Sequence, residues 1–406
     1  EVAGRYGRSD LSHDLIAGLV VGVISVPQAV AYAFLAGLPP EAGLYACLAP
    51  MVIYAVFGSS RHLVVGPVAI AALMVAATIG RYAPLYGNDY VGISTVLCLQ
   101  AGIFLWLLRL SQMGGLVNLL SHPVITGFVN AAALLIVISQ LPALTGISSA
   151  TGGDPLAQLL ELARHLRDFE PLTLTMGAGC LLGLWLVQRY TVPLLRLFSK
   201  DIAAEHPLSR VGPFLVASAA AAAVAIWNLD TDYHMAVVGY LPSGLPSFSR
   251  PPFNWAMWVD VAPSAAAIAL VSYVESYSIG ATLATRERTR VNSHQELIAL
   301  GAANIGAAFT GAYPVAGSFS RSSVNYQAGG RTQVSSLVCA AVIVLTLLYL
   351  TPLFAALPHA ALAAIVVISV VGIVDLGSLR RHWRVYREDS ITELATLITV
   401  LAVNVE

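Results

Sequence analysis

Charge is scarce in this sequence. The 406 residues carry 21 Lys and Arg and 22 Asp and Glu, 11% in all, against 57% hydrophobic residues. Soluble domains carry about 25% charged residues, so a soluble globular fold is excluded and a polytopic membrane protein is implied. The formal net charge of −1 arises from short charge clusters between long uncharged runs, which leaves no basic domain for nucleic acid. Cysteine is sparse too. Cys47, Cys98, Cys180 and Cys339 each lie in an apolar run with no CxxC or Cys/His spacing. Neither a disulfide framework nor a zinc site is expected, and the four read as packing residues. No Walker A, HExxH, GxSxG or GxGxxG motif stands in a supporting context. ATP-driven transport by this chain and intramembrane zinc proteolysis therefore lack residues, and a membrane enzyme lacks a catalytic constellation.

Long apolar runs are what the chain does have. They lie near 14–36, 42–57, 91–108, 123–145, 172–188, 211–228, 261–284, 297–310, 333–350, 359–374 and 391–405, each long enough or nearly so to cross hydrocarbon as a helix. Arg5 and Arg8 precede the first run as in a signal peptide, but its roughly 20 residues exceed an h-region, so it reads as a spanning helix. Two shorter segments, near 64–80 and 313–328, are broken by Gly and Pro; counted as crossings, they bring the total to thirteen with the N-terminus cytoplasmic.

That orientation obeys the positive-inside rule. The cytoplasmic side collects sixteen basic residues: Arg5, Arg8, Arg61, Arg109, Arg189, Arg196, Lys200, Arg210, Arg286, Arg288, Arg290, Arg331, Arg380, Arg381, Arg384 and Arg387. The other side collects Arg81, Arg164, Arg167 and Arg250, and Arg321 falls to neither.

A faint internal repeat relates "EAGLYACLAPMVIYAVFGSSRHLVVGPVAI" (41–70) to "ELIALGAANIGAAFTGAYPVAGSFS" (296–320). Each has an acidic start, a small-residue helix, a Phe-Gly or Phe-Thr-Gly exit and then a "VVGP" or "PVAGS" break. An odd number of spans separates them, so the copies point in opposite directions. Inverted repeats with interrupted helices point to a secondary transporter's binding site near the bilayer midplane. The plainer account is that Gly and Pro only kink ordinary spanning helices. Small residues such as Gly301, Gly306 and Gly311 are expected to allow close helix packing.

Two ionisable side chains fall deep within the spans, Glu275 and Arg321. Charges at that depth are costly and mark ion or substrate pathways by default; a structural ion bridge between the two is the alternative. If each broken segment restarts as a half-helix after Gly66-Pro67 and Gly317, the N–H groups of Val68, Ala69, Ser318 and Phe319 face the break and bind an anion without side chains. Pro67 suits a first helical turn. Ser318 and Ser320 add hydroxyl donors, and Arg321 adds a full charge with planar donors suited to oxyanions. Gln28 and Tyr32, four apart in the first span, share one helical face beside Pro27. Either belongs to the site or holds the bundle by an interhelical contact.

"PQAVAYAFLAGLPPEAGLYACLAPMVIYAVFGSSRHLVVGPVAI" and "ANIGAAFTGAYPVAGSFSRSSVNYQAGGRTQVSS" resemble the sulfate permease (SulP) family, also called solute carrier family 26, and the likeness covers essentially the whole chain. It implies an all-α polytopic membrane fold of fourteen segments in two inverted repeats of seven, split into a core and a gate, with half-helices in segments three and ten. On this chain the repeats would be 11–228 and 260–406. The resemblance implies an anion held by Gln28, Tyr32, Val68, Ala69, Ser318, Phe319, Ser320 and Arg321, with Glu275 matching an acidic residue linked to proton symport. It also implies a homodimer in the bilayer. The chain stops at "VLAVNVE", within the thirteenth segment, so the fourteenth and the cytoplasmic STAS domain that usually follows lie outside it.

The expectation is a secondary active anion transporter of the cell membrane, with no cofactor, taking up sulfate with protons; sodium is the other candidate coupling ion. The rivals are a bicarbonate, chloride or dicarboxylate carrier or exchanger, a proton-coupled nucleobase carrier of similar fold and, from another class, a passive anion channel or a non-transporting membrane motor.

Overall fold

A computed structural model describes residues 6–112, 122–147, 169–198, 211–372 and 387–403, with residues 159, 162, 164, 165 and 374. Among the loop residues assigned above, Arg5, Arg167, Lys200, Arg210, Arg380, Arg381 and Arg384 lie outside the described residues.

The first half of the chain runs α1 (Arg8–Leu35), α2 (Pro40–Tyr45), α3 (Ala49–Phe57), β1 (Val65–Gly66), α4 (Ala69–Tyr82), α5 (Tyr90–Leu110), α6 (His122–Thr145), α7 (Pro171–Phe198), α8 (Gly212–Trp227) and α9 (Leu229–Asp232). The second runs α10 (Trp255–Arg286), α11 (Ser293–Ala308), β2 (Ala316–Gly317), α12 (Phe319–Gln327), α13 (Val334–Leu345), α14 (Thr351–Phe354), α15 (His359–Val371) and α16 (Arg387–Val403). Among the described residues, seven helical stretches are long and apolar enough to span a membrane, with shorter apolar helices at α4, α8 and α15. The protein is an all-α, multi-pass membrane fold.

The apolar run at 42–57 is two helices, not the one expected. Pro50 sits in the first turn of α3, where its missing N–H is harmless, but it cannot continue α2. The chain therefore turns at Leu48 (φ −98, ψ −88) and restarts. Gly43 lets α2 lie directly on α1: a Cβ there would stand 1.9 Å from the Ala29 carbonyl oxygen. Gly301 and Gly306 serve close packing in the same way, against Trp106 and Ile53. Gly311 does not; it has φ +67, the left-handed conformation that favours glycine in a turn.

The helices sort into two packing groups. In the first, α1 packs on α12 and α13, α5 on α10 and α11, and α3 on α11 and α13. In the second, α6 packs on α7, α15 and α16, and α7 on α8. They meet where α15 lies on α1 and α6 on α4.

One end of the bundle is tied by buried acids. Asp14 of α1 accepts the backbone N–H groups of Arg331 and Thr332 at 2.7 and 3.0 Å. Glu296 of α11 accepts the Tyr54 hydroxyl at 2.9 Å and the Ser59 N–H at 3.0 Å. Arg61, Arg290 and Arg331, three residues assigned to the cytoplasmic side, line one cleft there with Tyr6 and Asp10.

Candidate functional site

The two broken segments meet as a pair. β1 and β2 are antiparallel, with Val65 opposite Gly317 and Gly66 opposite Ala316. Each strand is followed within three residues by a helix, α4 with N-cap Val68 and α12 with N-cap Ser318. Because the strands run oppositely, the helices leave their crossing in opposite directions and present their N-termini to a common space. The strand pairing itself had no sequence signal, since two residues are too few to display an alternation.

Valine cannot cap a helix, and α4 has no side-chain cap. Its first-turn N–H groups, at Ala69, Ile70 and Ala71, are buried with no helical acceptor. α12 differs from expectation at one position. The Ser318 N–H does not face the break but donates to the Val64 carbonyl at 3.0 Å, extending the strand pair. The Ser318 Oγ accepts the Arg321 N–H at 3.4 Å. This leaves the N–H groups of Phe319 and Ser320 as the open donors of that turn.

A cavity of about 30 Å³ lies between these ends, room for a species of a few heavy atoms. Val68, Ala69 and Ile70 line it from α4, and Ser318, Phe319 and Ser320 from the start of α12. Tyr32 reaches it from α1 and Glu275 from α10. Val129, Ala133, Ile136, Ser369 and Val370, from α6 and α15, form the facing wall. Phe319 is 43% exposed, so the cavity is not sealed on that side.

Gln28 and Arg321 are the two expected site residues that do not line the cavity. Gln28 lies one turn before Tyr32, is 1% exposed, and donates to the Ser369 hydroxyl at 3.3 Å. Arg321 is 1% exposed and turned behind the α4 break. Its Nη2 donates to the Pro67 carbonyl at 2.6 Å and its Nη1 meets Cys47 Sγ at 3.5 Å. Both its Nη atoms are thus engaged by protein groups, its Nε is buried without a partner, and its charge stays beside the helix ends. Among the described residues no ion pair joins it to Glu275, and the Glu275 Oε2 is buried without a hydrogen-bond partner. The structural ion bridge is therefore not formed.

Other polar groups went unnoticed in the sequence. Ser276, next to Glu275, accepts the Gly317 N–H at 2.7 Å, and Ser322 accepts the Val64 N–H at 2.9 Å. The acids Asp14, Glu296 and Glu393 are buried too, near the starts of their helices. Among the described residues no cluster of His, Cys, Asp and Glu could hold a metal. Backbone donors, a fixed positive charge behind them and a carboxyl with one unpartnered oxygen suit a small anion and a proton.

Residues 11–396 match the model of the Sulfate permease family. The chain belongs to the sulfate permease family. Similar members include "Sulfate transporter 4.1, chloroplastic" of Arabidopsis thaliana, 36% identical over 95% of this chain and 55% of that one. A "Probable sulfate transporter" of Mycobacterium tuberculosis is 35% identical over 99% of this chain and 68% of that one. Solute carrier family 26 member 6 of Homo sapiens is 32% identical over 99% and 54%. The chain thus spans from about half to two thirds of the length of these sulfate permease relatives. Among solved structures, murine solute carrier 26 family member A9, an anion transporter in the inward-facing state, matches with TM-score 0.90 at 26% identity, covering 100% of this chain and 67% of that one. The transmembrane domain of a cyanobacterial bicarbonate transporter shares the fold, with TM-score 0.84 at 23% identity over 99% and 98% of the two chains.

Proposed function

We propose that this chain is the transport unit of a secondary active carrier that takes up sulfate with protons by alternating access. One observation carries the reading: two half-helix N-termini, one of them without a capping side chain, face a cavity that also holds a carboxyl with an unpartnered oxygen. The N-termini attract an anion. An ionised Glu275 repels it, so anion binding and protonation of Glu275 are linked, and each favours the other. Val68, Ala69, Ser318, Phe319, Ser320 and Tyr32 would touch the anion; Gln28 and Arg321 would act from behind, by position and by charge. The two packing groups, meeting at the cavity, would be the bodies that move past each other. Sulfate is supported by the names of the relatives described above. The carrier would work as a homodimer in the cell membrane with its N-terminus in the cytoplasm.

The test is uptake of labelled sulfate into proteoliposomes holding the purified protein, with and without an inward proton gradient. The expected result is concentrative, gradient-dependent uptake that Glu275→Gln abolishes while sulfate binding persists. Uptake by Glu275→Gln at an unchanged gradient-driven rate would overturn the coupling role. Sulfate that is neither taken up nor competes would redirect the substrate to bicarbonate or another small anion, and flux that only dissipates a gradient would indicate a channel.

A further inference from the structure

We infer that Ser369 of α15 is the hydrogen-bonding residue through which the facing wall engages the anion, and that it favours oxyanions over halides. The inference rests on the anion-carrier reading above. Among the described residues, Ser369 is the one polar side chain that α6 and α15 place on the cavity, beside Val129, Ala133, Ile136 and Val370.

The bond from Gln28 sets the hydroxyl's role. Several serines and threonines of the bundle commit their proton to a carbonyl three or four residues back: Ser25 to Val21 at 2.7 Å, Ser139 to Ile136 at 2.8 Å, Ser276 to Ser272 at 2.6 Å and Thr346 to Val342 at 2.9 Å. Ser369 makes no such bond among the described residues. Its Oγ instead accepts from Gln28 Nε2 at 3.3 Å, across the boundary between the two packing groups. A hydroxyl has one proton and two lone pairs, so a Ser369 that accepts from Gln28 keeps its proton for another acceptor, the Tyr32 oxygen or an anion in the cavity. The Tyr32 hydroxyl interacts with it from the α1 side. Gln28 is itself 1% exposed, and its Oε1 has no partner. This polar set is built into an otherwise apolar wall, with the Gln28 Oε1 left without a partner.

An oxyanion seated on the N-termini of α4 and α12 has oxygens that point towards those N–H groups and oxygens that point away, towards Ser369. A halide is a single centre and is held by the helix ends alone. A donor aimed at a group that one ligand has and another lacks discriminates strongly, because the unmatched donor is left buried and unpaired.

The experiment compares wild type, Ser369→Ala, Ser369→Cys and Ser369→Thr in the same proteoliposomes, reading the KM for sulfate and the inhibition constant for chloride. Loss of the hydroxyl in Ser369→Ala and Ser369→Cys is expected to raise the sulfate KM about tenfold. Chloride inhibition should change less than about twofold, and Ser369→Thr should restore the wild-type sulfate KM. A parallel loss for both anions, or no change in either, overturns the assignment while leaving the carrier reading intact. Failure of the wild type to bind or carry any anion overturns the carrier reading and this inference with it.

Discussion

Gly66 lies directly beneath the Arg321 guanidinium: a Cβ on residue 66 would stand 2.8 Å from Nη1. The strand residue and the helix residue occupy space that only a missing side chain makes available. This contact seats the arginine on the Pro67 carbonyl rather than in the cavity. Gly66→Ala should therefore push the guanidinium off its carbonyl and destabilise the protein by about 1–3 kcal/mol. Thermal unfolding of the purified variant in detergent would register the loss, and sulfate binding should weaken with it because the fixed charge is displaced. A variant with unchanged melting and binding would show that the guanidinium has another resting place.

Asn304 does for β2 what a neighbouring strand would do. Its Oδ1 accepts the Val315 N–H at 3.0 Å, and its Nδ2 donates to the Val315 carbonyl at 3.1 Å and to the Leu300 carbonyl at 3.0 Å. The residue is 1% exposed, so Asn304→Leu leaves both polar groups of Val315 buried and unpaired, at a cost of about 2–5 kcal/mol. Asn304→Asp keeps the acceptor but turns a carboxylate towards two carbonyl oxygens, and should be destabilised further. Denaturation of the two variants side by side checks the order; equal stability for both would remove the donor's role.

Tyr86 and Asp260 are paired beyond the α4 end. The Tyr86 hydroxyl donates to Asp260 Oδ2 at 2.6 Å, and this bond, aided by partial burial and the Asp260 charge, pushes the phenol up to about 12. A raised phenol stabilises the fold in its neutral form. The contribution is complete below about pH 10, where an unfolded tyrosine titrates, and disappears as the pH rises through about 12. Ultraviolet titration of wild type against Tyr86→Phe should show one high-titrating tyrosine missing from the variant. Stability of the variant should also fall less steeply across that pH window.

Much of the fold was legible along the chain because a membrane imposes long apolar helices. The breaks at Gly66-Pro67 and Gly317 stood out for the same reason, since Gly and Pro interrupt those helices. What was not legible depended on neighbours distant in sequence. Asp14, Glu296 and Glu393 lie near helix ends, where charge is ordinarily solvated, and only the elements packed over them made them buried. Ser369 sits in "VVISVV", with no motif to mark it; its importance comes from α1 lying against α15.

Composition and periodicity alone determined that this protein is a bundle of membrane helices with two interrupted segments, one acid and one arginine among them. Apolar length and helix-breaking residues act locally, so the sequence carries them in full. The tertiary structure decided where the polar groups point. Antiparallel pairing of β1 with β2 turned the two breaks into facing helix ends. The space above Gly66 drew Arg321 behind them, and the packing of α10 brought Glu275 to the cavity instead. A side chain's direction is set by the space and partners around it, and those are contributed by residues hundreds of positions away.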